Sequence, residues 1–160
     1  MKKNTLITFT LFSLVLIVSC FKEKDNTFDG DGTFVEFQKT IVTTPASGRT
    51  YPLVATKRAG GVLTEQVNLV GRQRANEESI KFIVDSLTTA VAGTHYRLVG
   101  DGAFPIAANT SFGNCQVEIL NPAKDSGKSV DLILRLEGNA SGDIKPSENY
   151  KRIGFRISLN

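Results

Sequence analysis

The sequence predicts an all-β protein folded as an antiparallel β-sandwich, and two observations carry that expectation. From Thr33 onward, apolar residues recur with a period of two, the repeat of strands buried on one side. Between these runs stand clusters of Gly, Pro, Asp, Asn and Ser at short intervals, the punctuation of many short strands rather than of helices.

Each run can be read in order. Val35 and Phe37 alternate with Glu36 and Gln38, and Val67 and Leu69 with Gln66 and Asn68. Cys115, Val117 and Ile119 alternate with Asn114, Gln116 and Glu118. Val130, Leu132, Leu134 and Leu136 alternate with Asp131, Ile133 and Arg135, and Ile153, Phe155, Ile157 and Leu159 with Arg152, Gly154, Arg156 and Ser158. Pro45 to Gly48, Gly60-Gly61, Gly100 to Gly102, Lys124 to Gly127 and Gly138 to Gly142 separate them as turns. The stretch 76–87 admits two readings. Asn76 would cap a helix carrying Ile80, Ile83, Val84 and Leu87 on one face, whereas Ile80, Phe82 and Val84 would line one face of a strand. Its β-branched and aromatic residues favour the strand.

The first nineteen residues have a different character. Lys2 and Lys3 precede an apolar and hydroxyl run from Leu6 to Val18, shorter than the roughly 20 residues of a spanning helix. Ile17-Val18-Ser19-Cys20 closes it and resembles a bacterial lipoprotein signal. That resemblance implies cleavage between Ser19 and Cys20, lipid on Cys20, and stable membrane attachment through more than one chain. An ordinary secretory signal with a chance cysteine is the alternative. Phe21 to Asp25 resembles the surface-export signal of Bacteroidetes lipoproteins, and Phe at position 21 departs from the retention signal of enteric bacteria. The expected organisation is a signal peptide over 1–19, a lipidated tether over 20–32 ending at Asp29-Gly30-Asp31-Gly32, and a sandwich domain over 33–160.

The remaining composition mainly excludes. The whole chain carries a net charge of +3, and removal of Lys2 and Lys3 leaves basic and acidic residues nearly balanced. No Lys/Arg stripe gives an electrostatic footprint for nucleic acid. With Cys20 taken by lipid, Cys115 has no partner for a disulfide, so packing alone must hold the domain.

The segment Thr88-Thr89-Ala90-Val91-Ala92-Gly93-Thr94-His95-Tyr96 resembles the "TA…G.DY" segment of Calx-beta-like modules, followed by the expected order of strands to Leu136. The resemblance implies an immunoglobulin-like sandwich. Taken with the lipobox, the chain resembles small Bacteroidetes lipoproteins of unknown function whose genes often sit near outer-membrane glycan-uptake systems. Calx-beta modules bind calcium through acids that include a run after the penultimate strand. Here Leu120 to Asp125 holds one acid, and His95 stands where the family has an aspartate. Calcium takes six to eight oxygen ligands, so no metal and no cofactor are expected, Asp29 and Asp31 of the tether notwithstanding.

Few residues suggest chemistry. His95, the sole histidine, has no metal-ligand spacing around it and reads as a local hydrogen-bonding residue. Cys115 falls on an inward face, where burial makes a thiol inert. No Gly-x-Ser-x-Gly or phosphate-binding glycine loop occurs. Tyr51, Tyr96, Phe112 and Tyr150 lie nearest turns and are the candidate ligand-binding aromatics, with core-edge packing as the competing reading. Asp85-Ser86-Leu87 fits the O-glycosylation pattern described for Bacteroidetes, which makes Ser86 a candidate acceptor. The sequence therefore reads as a lipid-anchored, non-catalytic outer-membrane module. It would face the cell surface or the periplasm and bind a glycan or a protein partner of a surface glycan-uptake system. A structural spacer or fimbria-associated subunit, and a small hydrolase, stay open as alternatives.

Overall fold

A computed structural model describes residues 32–56, 60–120 and 122–159. The expected signal peptide, with Ser19 and Cys20, and the expected tether up to position 31 lie outside the described residues. The strands are β1 (Thr33–Phe37), β2 (Leu53–Thr56), β3 (Gly61–Val70), β4 (Glu78–Val84) and β5 (Tyr96–Leu98). They continue as β6 (Ala103–Ile106), β7 (Phe112–Ile119), β8 (Ser129–Gly138), β9 (Ile144–Pro146) and β10 (Arg152–Ser158). They form two five-stranded sheets, β5-β7-β3-β1-β9 (sheet 1) and β2-β10-β8-β4-β6 (sheet 2). The all-β sandwich expected from alternation, immunoglobulin-like as the Calx-beta resemblance implies, is the fold observed. Residues 78–84 are the strand that β-branched content favoured.

Alternation places the core. Val35, Phe37, Val67, Leu69, Cys115 and Val117 from sheet 1 face Ile80, Phe82, Leu132, Leu134, Ile153 and Phe155 from sheet 2 in one buried cluster. Burying one such aliphatic or aromatic side chain contributes about 1.5–3 kcal/mol. Cys115 is a free, buried thiol. Burial, and then the Glu65 carboxylate across the ladder, push its ionisation up. Most pairings are antiparallel, but β2 runs parallel to β10 and β9 parallel to β1. The last strand is central in sheet 2, between β2 and β8. Gly138 ends β8 at φ +87°, where a Cβ would stand 2.1 Å from the Ile144 carbonyl oxygen. Only glycine permits the chain to leave sheet 2 there and enter β9 of sheet 1.

The short helix α1 (Gln38–Val42) departs from the sequence reading. Thr, Ile and Val are weak helix formers, and the turn is held from outside. The Phe37 N–H donates to the Tyr150 carbonyl at 3.0 Å, and the Thr40 hydroxyl to the Arg152 carbonyl at 2.9 Å. The helix carries the chain from β1 in one sheet to β2 in the other.

Candidate functional site

The two outer faces of the sandwich are built from different chemistry. On sheet 2 the outward charged side chains of β8 and β10 engage one another, while β4 presents Lys81 and a partly exposed Ile83 to solvent. Asp131 of β8 receives two parallel bonds from Arg156 of β10, both 2.9 Å, with Arg49 3.7 Å away. This is the bidentate fork that makes Arg–carboxylate pairs strong, and it holds the guanidinium protonated more firmly. Arg152 and Arg135 stand directly opposite each other, and Asp85 relieves that repulsion by accepting from Arg152 Nε at 2.9 Å. Burial by itself would raise the Asp85 carboxyl. The Leu87 N–H and Arg152, helped by Arg135, bring it below the usual carboxylate value.

The same face is roofed. Tyr51 lies over Gly154, where an added Cβ would come within 3.3 Å of its ring, and Arg49 stacks on the other side of that ring. Beside β8 the segment after β4 substitutes side chains for a strand. The Thr88 hydroxyl accepts from Ile133 N–H at 2.9 Å and donates to its carbonyl, and the Thr89 hydroxyl accepts from Asp131 N–H at 2.8 Å. Ile133 stands opposite Gly154, next to the Tyr51 ring, and is fully buried, although alternation places it on the polar face.

The outer face of sheet 1 is open. Thr64, Gln66 and Asn68 of β3 sit opposite Gln116, Asn114 and Phe112 of β7 respectively. The Gln66 amide donates to Asn68 Oδ1 at 2.9 Å, Asn68 donates to Gln38, and Gln116 to Thr64 at 3.4 Å. Among the described residues, Asn114 makes no side-chain hydrogen bond. Phe112 is 54% exposed and, with Asn114 and Gln116, lines a shallow cleft of about 380 Å³ that opens from β7 toward Pro105, Ala107 and Thr110, on the side away from β3. Charges stand at the ends of this band. Arg97 and Glu118 pair at 3.7 Å at one end, and Lys145 and Glu36 lie on the strands beyond β3 at the other. Partial burial raises the Glu36 carboxyl above its usual value.

The four candidate aromatics are thus dispersed. Tyr51 is buried under Arg49, and Tyr96 is buried at the start of β5, where burial raises its phenol. Phe112 lies on the open face. Tyr150 borders a separate groove of about 360 Å³ beside α1, with Thr43, Thr44 and Asn149. The two buried rings fit core-edge packing. Ser86 is exposed on the turn after β4, while its neighbour Asp85 is buried.

His95 is buried and fully engaged. The Val91 N–H donates to Nδ1 at 2.8 Å, so the proton sits on Nε2, which donates to Asp125 Oδ2 at 3.1 Å. Lys128 bonds the other oxygen of Asp125 at 2.9 Å. His95, which stands where the family has an aspartate, and Asp125, the one acid of the Leu120–Asp125 run, are therefore brought together with Lys128 in a cluster joining two loops. Among the described residues, no group of three or more His, Cys, Asp or Glu gathers. One residue escaped sequence reasoning altogether. Glu65 points inward from β3, is 4% exposed, and bonds Lys39 at 2.6 Å at the base of a cleft of about 540 Å³. Its place at the odd parity of Val67 and Leu69 was the available signal.

No protein-family model and no curated protein matches the chain. Among solved structures it is similar to CBD12 from CALX1.2 (TM-score 0.52, 14% identity, 78% of this chain and 44% of that one). It is also similar to the calcium binding domain CBD12 of CALX1.1 (TM-score 0.50, 16% identity, 68% and 41%). A third similar structure is Bacteroides thetaiotamicron EndoBT-3987 with Man5GlcNAc product (TM-score 0.50, 12% identity, 78% and 30%). The chain spans less than half the length of each. These likenesses define a Calx-beta-like sandwich in fold.

Proposed function

We propose that this chain is a lipid-anchored, non-catalytic accessory module of the cell envelope, an outer-membrane lipoprotein of the Bacteroidetes type. It is held by acylated Cys20 after cleavage behind Ser19. Its sandwich binds a glycan or a protein partner of a surface glycan-uptake system. The lipobox-like Ile17-Val18-Ser19-Cys20 supports the anchor. The observation that supports binding is the open face of sheet 1, where amides and an exposed phenyl ring meet solvent while β8 and β10 on the opposite face pair their own charges. An exposed ring beside converging polar groups suits ligands that are themselves part apolar and part hydroxylated. EndoBT-3987, solved with a Man5GlcNAc product, contains a region of similar shape, which is compatible with such a setting. The cleft around Glu65 has no second carboxylate among its lining residues, whereas glycoside hydrolysis uses a pair.

The test labels cells expressing the full chain with radioactive palmitate, alongside Cys20→Ala. Membranes are then solubilised in detergent and the tagged protein is recovered with whatever accompanies it. Label that depends on Cys20, together with a retained glycan or envelope protein, supports the reading. Absence of label overturns the anchor, and recovery of the bare chain overturns the binding role.

A further inference from the structure

We propose that the ligand is an electrically neutral, extended glycan laid across β3 and β7, with Phe112 stacked on a sugar ring and the Gln66, Asn114 and Gln116 amides exchanging hydrogen bonds with its hydroxyls. The proposal rests on the glycan half of the reading above and names the class and the site.

The placement of amides carries the argument. Among the described residues, every Asn and Gln that lies in a strand belongs to β3 or β7: Gln66, Asn68, Asn114 and Gln116. All four point outward from sheet 1 at adjacent register positions. Asn is depleted in strands, where β-branched and aromatic residues fit better, so local stability does not account for the cluster. An amide offers two N–H donors and a carbonyl acceptor, and a sugar hydroxyl also both donates and accepts. An array of amides therefore matches vicinal hydroxyls without selecting one polarity. Side-chain bonds from Gln66 to Asn68 and from Gln116 to Thr64 already orient part of the array, which lowers the entropy lost on binding.

Charge selects the class. Among the described residues no Lys or Arg stands on β3 or β7; Arg97 at one end of the band is paired with Glu118, and Lys145 at the other lies on β9, two strands from β3. A uronate or sulfated chain would find no cation to fork onto its oxyanions. A protein partner is a poorer match, because the cores of protein interfaces are apolar, with aromatic residues and Arg enriched. Here the middle of the band is one ring among amides, and the exposed Val62 and Val70 stand apart at the two ends of β3. The side of Phe112 is open to receive the apolar face of a pyranose, whose hydroxyls would then lie over Asn114 and Gln116 in the same cleft.

Affinity electrophoresis of the folded chain through gels holding neutral polysaccharides (glucomannan, mixed-linkage β-glucan, α-mannan) or acidic ones (polygalacturonate, chondroitin sulfate) tests this. The variants are Phe112→Ala, Asn114→Val with Gln116→Val, Tyr150→Ala, and Leu87→Ser as a control, each checked for an intact melting transition. Retardation by at least one neutral polymer, weakened about tenfold by Phe112→Ala and by the double variant but not by Leu87→Ser, is the expected result. Retardation by acidic polymers alone overturns the neutral class while leaving glycan binding intact. Loss with Tyr150→Ala but not Phe112→Ala overturns the site and moves it to the groove beside α1. Self-association abolished by Phe112→Ala, with no retardation by any polymer, overturns the proposal in favour of a second copy on this face. No retardation and no self-association removes the glycan half of the functional reading as well.

Discussion

The outer faces of the two sheets solve one problem in opposite ways. Each must present a strand surface to water. Sheet 2 closes its face from within: Asp131 with Arg156, Asp85 with Arg152, Tyr51 over Gly154, and threonine hydroxyls along β8. Sheet 1 leaves amides and Phe112 uncovered, with only a few side-chain bonds among them. The difference teaches that the polar face of an alternating strand is not one category. One such face here is structural and the other is available.

Substitutions can break or sharpen that contrast. The largest effect is expected from removing residues 153–160. This deletes nearly all of β10, with Ile153, Phe155 and Ile157 from the core and the arginine that pairs Asp131. The truncated chain is expected to show no cooperative melting; a sharp thermal transition would refute the central role of this strand. Next, Gly154→Val would drive a side chain against Leu53, 2.9 Å from the added Cβ, and lift the Tyr51 roof. A loss of about 1–3 kcal/mol is expected from such overpacking, read by urea denaturation.

Asp131→Ala removes the acceptor of a fork whose guanidinium is half exposed. Screening limits the loss to about 1–2 kcal/mol, again with urea as the measure. Asp85 adds a pH signature. Its depressed carboxyl contributes stability that is present above the unfolded value of about 3.9 and is lost as pH falls through the lower folded value. Melting temperature is expected to drop in that window, and Asp85→Asn to flatten the drop while starting lower at neutral pH. The smallest effect has the opposite sign. Asn114→Val on sheet 1 is expected to leave stability unchanged or to raise it by up to about 0.5 kcal/mol. A clear loss there would mean that the open face is structural too.

Much of this architecture was legible from alternation. The strands from Thr33, Gly61, Phe112, Ser129 and Arg152 are long enough to show which side chains turn inward, and β-branched and aromatic content favoured over a helix the strand that residues 78–84 form. What alternation does not carry is what lies over the outward side. Asp131, Ile133 and Arg135 read alike as a polar face, yet Ile133 is fully buried opposite Gly154, where Tyr51 folds over the sheet from a distant part of the chain. Strands β5 and β9 have three residues each, too few to reveal a period. The helix α1 was hidden because it owes its form to Arg152 and Tyr150, more than a hundred residues away. For the site, the sequence named Phe112 for its nearness to a turn, but the amides beside it were visible only as polar spacers. Their adjacency is a matter of register between two strands far apart in the chain. Tyr51 and Tyr96 shared the same sequence signal and went inside.

One topological detail bears on how the domain takes mechanical load. β1 is flanked on both sides, by β3 running against it and β9 running with it. Tension entering through the residues before Thr33 therefore acts along the strand and loads several backbone hydrogen bonds together in shear. Unzipping one at a time from a free edge would require far less force. A fold pulled from that end, in flow or between cell and substrate, resists detachment of its own first strand.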